Sequence, residues 1–281
     1  MLKLVKPALA AGVIALALSG CSNTSPAATG DASGKAPEGL ITSGKLTLCI
    51  DPEYAPLEYY ANGSGGEIIG FDADAARALA SHWGVETKFE VTSFDGLMPG
   101  LQTRRCDAIF GGLYMSPARL EVADAAPVMN AGPAILATPS KATQYKSPLD
   151  LCGQAVAAQA ASSNAARIVT LKDECKAAGK EEPRLTEYPK TAETVLAVIN
   201  GKSDALIETN VAAAYMASQN QGKLTEAPGV FPTDTQFGVF TRKNDQLSPA
   251  VAEALKALHE DGTLAKIAEE NKLDPAIVDV Y

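Results

Sequence analysis

The stretch GGLYMSPAR, residues 111–119, sets two glycines, a Ser-Pro pair and an arginine close together. Glycine has no Cβ, so backbone N–H groups there can approach a bound group closely. Ser116 suits a helix N-cap and Pro117 the first helical position, so a helix is expected to begin here. A helix start favours an anion, because its first N–H groups are unpaired and the helix dipole is positive at that end. Arg119 adds a planar fork able to grip a carboxylate through two hydrogen bonds. These residue types predict carboxylate binding, with a merely exposed helical arginine as the alternative. No Ser-His-Asp set, phosphate loop or metal-ligand spacing stands out in the sequence. His82 and His259 fall on helices, not at strand ends. No cofactor, metal or catalytic residue is expected.

The elements that must hold this stretch alternate. Leu46–Ile50 reads as a buried strand and Phe71–His82 as a helix with Asp72 and Asp74 in its first turn. Lys88–Thr92 reads as a strand, Phe94–Thr103 as a helix broken near Pro99, Asp107–Phe110 as a strand and Ser116–Asp124 as a helix. The order then repeats. Strands are expected at 155–159, 184–188 and 204–208, with helices at 163–178, 192–200 and 210–220. Each third strand opens on Asp-Ala, in DAIFGG and DALIET. Alternation of this kind implies parallel pairing with right-handed crossovers.

The prediction is an α/β chain of two lobes, each a mostly parallel sheet with flanking helices, joined by a two-crossing hinge. Joining segments are expected around 137–145 and 231–236. A strand at 238–241 and helices at 248–258 and 262–273 return to the first lobe. Lobe 1 is then 41–138 plus 237–281, and lobe 2 is 139–236. Two crossings make a cleft that can close. In open α/β sheets ligands bind beyond the carboxyl ends of the strands, which is where Gly111–Arg119 sits.

The remaining sequence sets the setting. The 281 residues carry a net charge of −9, which argues against a nucleic-acid surface. Lys3 and Lys6 precede an apolar run, Ala8–Leu18, too short to span a bilayer. Leu18-Ser19-Gly20-Cys21 resembles the lipobox of bacterial lipoproteins, with cleavage before Cys21 and lipid on its sulfur. Residues 1–20 are thus read as a lipoprotein signal peptide, with an ordinary secretory signal and a chance Cys as the alternative, and 21–40, rich in Ser, Ala, Thr, Gly and Pro, as a flexible tether. An oxidising compartment allows disulfides. Cys152 precedes a strand and Cys175 ends the helix after it, which predicts a Cys152–Cys175 bond. Cys49 and Cys106 are read as free buried thiols.

Several stretches occur in a telling order: IDPEYAPLEY (50–59), IIGFDADAARALA (68–80), SFDGLMPGLQTRRCDAIFGG (93–112), SPAR (116–119), DLCGQAVAAQ (150–159) and ALKALHEDGTLAKIAEEN (254–271). Together they resemble the extracellular solute-binding proteins of polar amino-acid ABC importers. The resemblance implies a type II periplasmic-binding-protein-like fold. It implies capture of a small carboxylate-bearing ligand, an amino acid or derivative, by cleft closure and delivery to an ABC permease. It places Arg119 on the ligand α-carboxylate, assisted by N–H groups around Gly111, Gly112 and Tyr114. It sets Tyr54 and Phe94 against the ligand side chain, with core packing as the alternative for both. Asp51 would face a cationic side chain or serve as a turn residue before Pro52. Ala161, Ser162 and Ser163 would form the second-lobe turn near the carboxylate, or Ser162 or Ser163 would only cap the helix.

Two departures bear on the ligand. Tyr114 stands where the family often has Ser or Thr, so a ring either narrows the site or forms its wall. Thr209 stands where the family commonly has the Asp that pairs with the ligand ammonium. Either Glu208 substitutes, although adjacent strand side chains point to opposite faces, or the ligand is an N-substituted amino acid, an opine-like compound or another small carboxylate. The expected partners are that ligand, the permease and the membrane reached through Cys21, with the protein acting as a monomer. A sensor component would use the same closure. A periplasmic dehydratase on this scaffold is the competing class, with Glu58 or Glu208 as its acid.

Overall fold

Two sheets built on one plan hold the cleft residues. The computed structural model describes residues 35–281; the predicted signal peptide, Cys21 lipidation and most of the tether lie outside the described residues. The first lobe opens with β1 (Lys45–Ile50) and a small antiparallel sheet of β2 (Glu53–Tyr54), β3 (Glu58–Tyr60) and β4 (Ile68–Ile69). It continues through α1 (Phe71–His82), β5 (Glu86–Val91), α2 (Leu97–Gln102), β6 (Ala108–Ile109), α3 (Pro117–Val122) and β7 (Ala123–Ala131). The second lobe contains β8 (Pro133–Ala137), α4 (Pro139–Ala142), β9 (Ala155–Gln159), α5 (Ser163–Ala177), β10 (Arg184–Tyr188), α6 (Thr191–Ile199), β11 (Ala205–Thr209), α7 (Asn210–Gln219) and β12 (Thr225–Ala227). β13 (Thr235–Arg242), α8 (Leu247–Glu260) and α9 (Thr263–Glu270) then pack on the first sheet.

The sheets run β5-β1-β6-β13-β7 and β10-β9-β11-β8-β12. In each, three parallel strands are followed by an antiparallel one, β13 or β8, that has just crossed from the other lobe. The Asp-Ala repeat has a structural cause. Asp107 accepts the Thr47 N–H at 2.8 Å and returns its own N–H to the Thr47 carbonyl. Asp204 treats Ala155 identically, with its carboxylate 2.7 Å from the Ala155 nitrogen and its N–H on the Ala155 carbonyl. Each aspartate thus locks the start of a third strand to its first.

Alternate residues of the central strands serve two cores per lobe. Leu46 and Leu48 meet α1 and α8 through Leu79 and Leu255, whereas Cys49 and Ile109 meet α2 through Leu97 and Leu101. In the second lobe Val156 and Ile207 pack with Ile168 and Leu171, and Ala157 and Leu206 with Val198 and Ala213.

Two sequence expectations need correction. The chain leaves the first sheet after Ala131 and enters the second at Pro133, not around 137–145. The runs ADAAPVMNA and PAILA become strands through long-range pairing with β13 and β11, which local periodicity cannot report. The crossing is tight: a Cβ on Gly132 would lie 2.6 Å from the Pro232 carbonyl oxygen on the returning segment. Cys49 and Cys106 are also not free thiols; they form a disulfide with Cα atoms 5.5 Å apart. Cys49 pairs with Ile109 across β1 and β6, and Cys106 lies in the bend that feeds β6, so the register brings the two sulfurs together. Cys152 and Cys175 are bonded as the sequence predicts.

The sequence separations of the two bonds, 57 and 23, correspond to about 4 and about 3 kcal/mol of loop-closure stabilisation. Urea unfolding of the Cys49→Ser/Cys106→Ser protein should therefore show a larger loss than that of Cys152→Ser/Cys175→Ser. Thiol labelling in denaturant without reductant should leave all four cysteines unmodified; labelling of Cys49 and Cys106 would refute the first bond.

Candidate functional site

The carboxyl ends of β1, β6, β9 and β11 converge on one cavity between the lobes. The first lobe supplies Tyr54, Phe94, Gly112, Tyr114 and Arg119 to its wall. The second supplies Gln159, Ser162, Ser163, Asn164, Glu208 and Thr209. Its volume is about 20 Å³, barely room for one water, so a ligand the size of an amino acid enters only when the lobes part.

Arg119 projects from the third position of α3, two residues after Pro117. Its guanidinium lies 5.8 Å from the Phe94 ring centroid and donates to the Tyr114 carbonyl oxygen at 3.1 Å. No Asp or Glu forms an ion pair with it among the described residues. Burial lowers its pKa to about 10, which leaves it charged at neutral pH.

Glu208 is the counterpart on the second lobe. It is 4% exposed and also lacks a cationic partner among the described residues. Its Oε1 accepts from the Tyr54 hydroxyl at 2.8 Å, the Thr209 N–H at 2.8 Å and the Asn164 amide at 3.3 Å. Thr191 Oγ1 stands 3.4 Å from Oε2 and 3.2 Å from Gln159 Oε1, and its single proton can serve only one of them. Burial raises the Glu208 pKa, opposed by these donors. The strand alternation that seemed to exclude Glu208 ends here. Thr209 caps α7, its hydroxyl accepting the Ala212 N–H at 3.3 Å, and the chain bends so that both side chains reach the Tyr54 hydroxyl.

Several predicted residues take other places. The Gly112 N–H is not available to a carboxylate, because it donates to Asp72 Oδ2 at 2.7 Å. Gly112 still needs to be glycine: its φ is 56°, and a Cβ would lie 2.7 Å from the Tyr54 ring. Gly111 sits over Glu58 instead of on the cavity wall. Asp51 faces an adjoining cavity of about 450 Å³, shared with Glu53, Asp95 and Lys190. Burial, then the nearby Glu53, raises its pKa to about 6. Ala161 forms the turn, with φ 60°, and does not line the cavity. Ser162 is the α5 cap, accepting from the Ala165 N–H at 3.0 Å. Tyr114 forms the wall, its ring stacked on Phe237 at 5.0 Å. Gln159 and Asn164 are absent from the sequence prediction; both are polar residues flanking the β9-to-α5 turn, and that position was the available signal.

The family model of bacterial extracellular solute-binding proteins, family 3, matches residues 46–272. The chain belongs to that family. The arginine-binding protein ArgT of Corynebacterium glutamicum is 29% identical over 251 residues, covering 86% of this chain and 80% of that protein. An amino acid ABC transporter substrate-binding protein, AbpA from Streptococcus pneumoniae, solved with L-arginine, superposes with a TM-score of 0.72 at 27% identity. The match covers 81% of this chain and 94% of AbpA. The ancestral amino acid-binding protein AncCDT-1, a precursor of cyclohexadienyl dehydratase, gives a TM-score of 0.71 at 29% identity, covering 81% and 95%. The fold is that of the type II periplasmic binding proteins, as the sequence resemblance implies.

Beneath the Gly111–Gly112 loop, the buried Glu58 and Asp72 carboxyls share a hydrogen bond. Burial, more than the charge of Asp72, lifts Glu58 well above the usual range, so it is the protonated member. Burial also lifts Asp72 from 3.8 to about 6. Between these values the folded chain holds a proton that the unfolded chain releases. The Asp72 contribution to stability therefore falls as pH rises through that window and is constant above it. Denaturant unfolding of wild type and Asp72→Asn should give a stability difference that moves against the wild type from pH about 4 to about 6. A flat difference across the window would show that Asp72 ionises without cost.

Proposed function

We propose that the protein captures a free amino acid between its lobes and delivers it to an ABC permease. One observation carries this reading: a half-buried guanidinium and a buried carboxyl, neither with an ion partner among the described residues, line one cavity from opposite lobes. Burying a lone charge is costly. A zwitterion with its carboxylate on Arg119 and its ammonium on Glu208 would relieve both. The unpaired N–H groups at the start of α5, beyond the Ser162 cap, would join Arg119 on the carboxylate. Phe94 and Tyr54 would wall the ligand, and Asp51 in the adjoining cavity would lie towards its side chain. Glu208 thus takes the ammonium role that Thr209 cannot fill.

Relatives named for arginine and cystine binding support an amino acid as the ligand class. The family supports binding without chemistry. The lipobox-like Leu18-Ser19-Gly20-Cys21 supports a lipid anchor on Cys21 that holds a monomer on the extracytoplasmic side of a bacterial membrane.

The test is thermal unfolding of the detergent-solubilised full-length protein with each of the twenty amino acids and L-cystine. A true ligand at about 100 times its dissociation constant should add roughly 2.7 kcal/mol. Arg119→Met should abolish the shift while leaving the protein without ligand equally or more stable, because an unpaired buried charge is gone. Glu208→Gln should weaken binding about tenfold or more. No shift with any amino acid would reject the proposal; shifts confined to N-acylated amino acids would move the ligand to another small carboxylate.

A further inference from the structure

Asn164 lies at the second position of α5, lines the cavity and is 4% exposed. Its amide orientation is fixed by chemistry. Glu208 Oε1 receives the Thr209 N–H, so it is an acceptor, and the amide nitrogen of Asn164 must face it at 3.3 Å. That leaves Asn164 Oδ1, which is buried without a hydrogen-bond partner. Buried polar atoms are nearly always paired, and an orphan marks a place where a donor is meant to arrive. Tyr114 Oη on the facing wall is the other buried, unpartnered side-chain atom among the residues lining this cavity.

We infer that Asn164 is a specificity residue whose carboxamide oxygen takes an N–H of the ligand ammonium beside Glu208, so that the cleft selects an unsubstituted primary ammonium. The inference rests on the amino-acid reading above and goes further, because that reading leaves the amine open to substitution. A tetrahedral primary ammonium offers three N–H groups. The Glu208 carboxylate, Asn164 Oδ1 and Tyr114 Oη offer three acceptors from two lobes. An Nα-methyl group removes one donor and sets a methyl against a polar atom that then stays unpaired. The loss of one hydrogen bond to a charged group corresponds to about tenfold or more in affinity.

The experiment measures dissociation constants by calorimetry on the detergent-solubilised full-length protein. The probes are the twenty amino acids and L-cystine, then the Nα-methyl derivative of whichever binds most tightly. Wild type should prefer the primary amine by about tenfold or more. Asn164→Ala and the nearly isosteric Asn164→Leu should both still bind, with that preference reduced towards one. The readout is a ratio of two affinities on the same folded variant, so a general loss of fit does not mimic it. A wild type with no preference, or variants that keep the wild-type ratio, would overturn the inference and leave amino-acid capture standing. Variants that unfold cooperatively yet bind neither probe would also overturn it, since one N–H acceptor should cost a factor and not the whole affinity. A wild type that binds no amino acid would overturn both.

Discussion

Arg119 is a half-buried cation with no anion beside it among the described residues. Everything around the cleft follows from tolerating that charge. The Phe94 ring and the Tyr114 carbonyl supply partial compensation without satisfying the fork. The pKa falls only to about 10, so the group stays ionised instead of neutralising. Glu208 is a buried carboxyl on the other lobe, its pKa raised by burial and with no cationic partner among the described residues. The two lie on different lobes, and a zwitterion held between them, as proposed, would gain a charge-assisted hydrogen-bonded pair at each end. Binding and closure would then be one event.

That arrangement demands rigid support on each side. The tips of β6 and β1 carry Gly112–Arg119 and Tyr54, and the Cys49–Cys106 bond ties β1 to the bend that feeds β6. The Asp72 carboxylate takes the Gly112 N–H and holds the loop from beneath. On the second lobe Asp204 fixes the start of β11 to β9, and the caps by Ser162 and Thr209 set the two helix starts that meet the cavity. Motion is left to the crossings. At Gly132, backbone lies against backbone and a side chain has no room. The cross-lobe Glu53–Lys190 pair at 2.7 Å joins exposed groups and adds little to closure.

Alternating strands and helices made the two-lobed plan legible in the sequence, because each parallel strand is a short apolar run and each helix an amphipathic one. The strands β7 and β8 were not legible. Their alanine- and proline-bearing runs are strands only by virtue of partners more than sixty residues away. The Cys49–Cys106 bond was hidden for the same reason, since it depends on the register of β1 against β6. Arg119, Tyr54 and Phe94 could be placed from motif and order. Asn164 could not, because an asparagine in the first turn of a helix reads as a local polar residue, and only the position of Glu208 gives its amide a direction.

Thr209 stands beside Glu208 at the bend from β11 into α7. Its side chain retains the local duty of capping α7 and adds a 2.6 Å contact with the Tyr54 hydroxyl. The Glu208 carboxyl sits one residue earlier, on a longer side chain that the bend from β11 into α7 brings to the same cavity. Glu208 is then held by its own neighbour's N–H, by Asn164 and, across the cleft, by Tyr54. The Tyr54 hydroxyl therefore occupies an acceptor site that a ligand ammonium would use. A neutral phenol makes a weaker partner for a carboxylate than an ammonium does. The exchange of one for the other gives closure over a zwitterion its advantage over closure on the tyrosine alone.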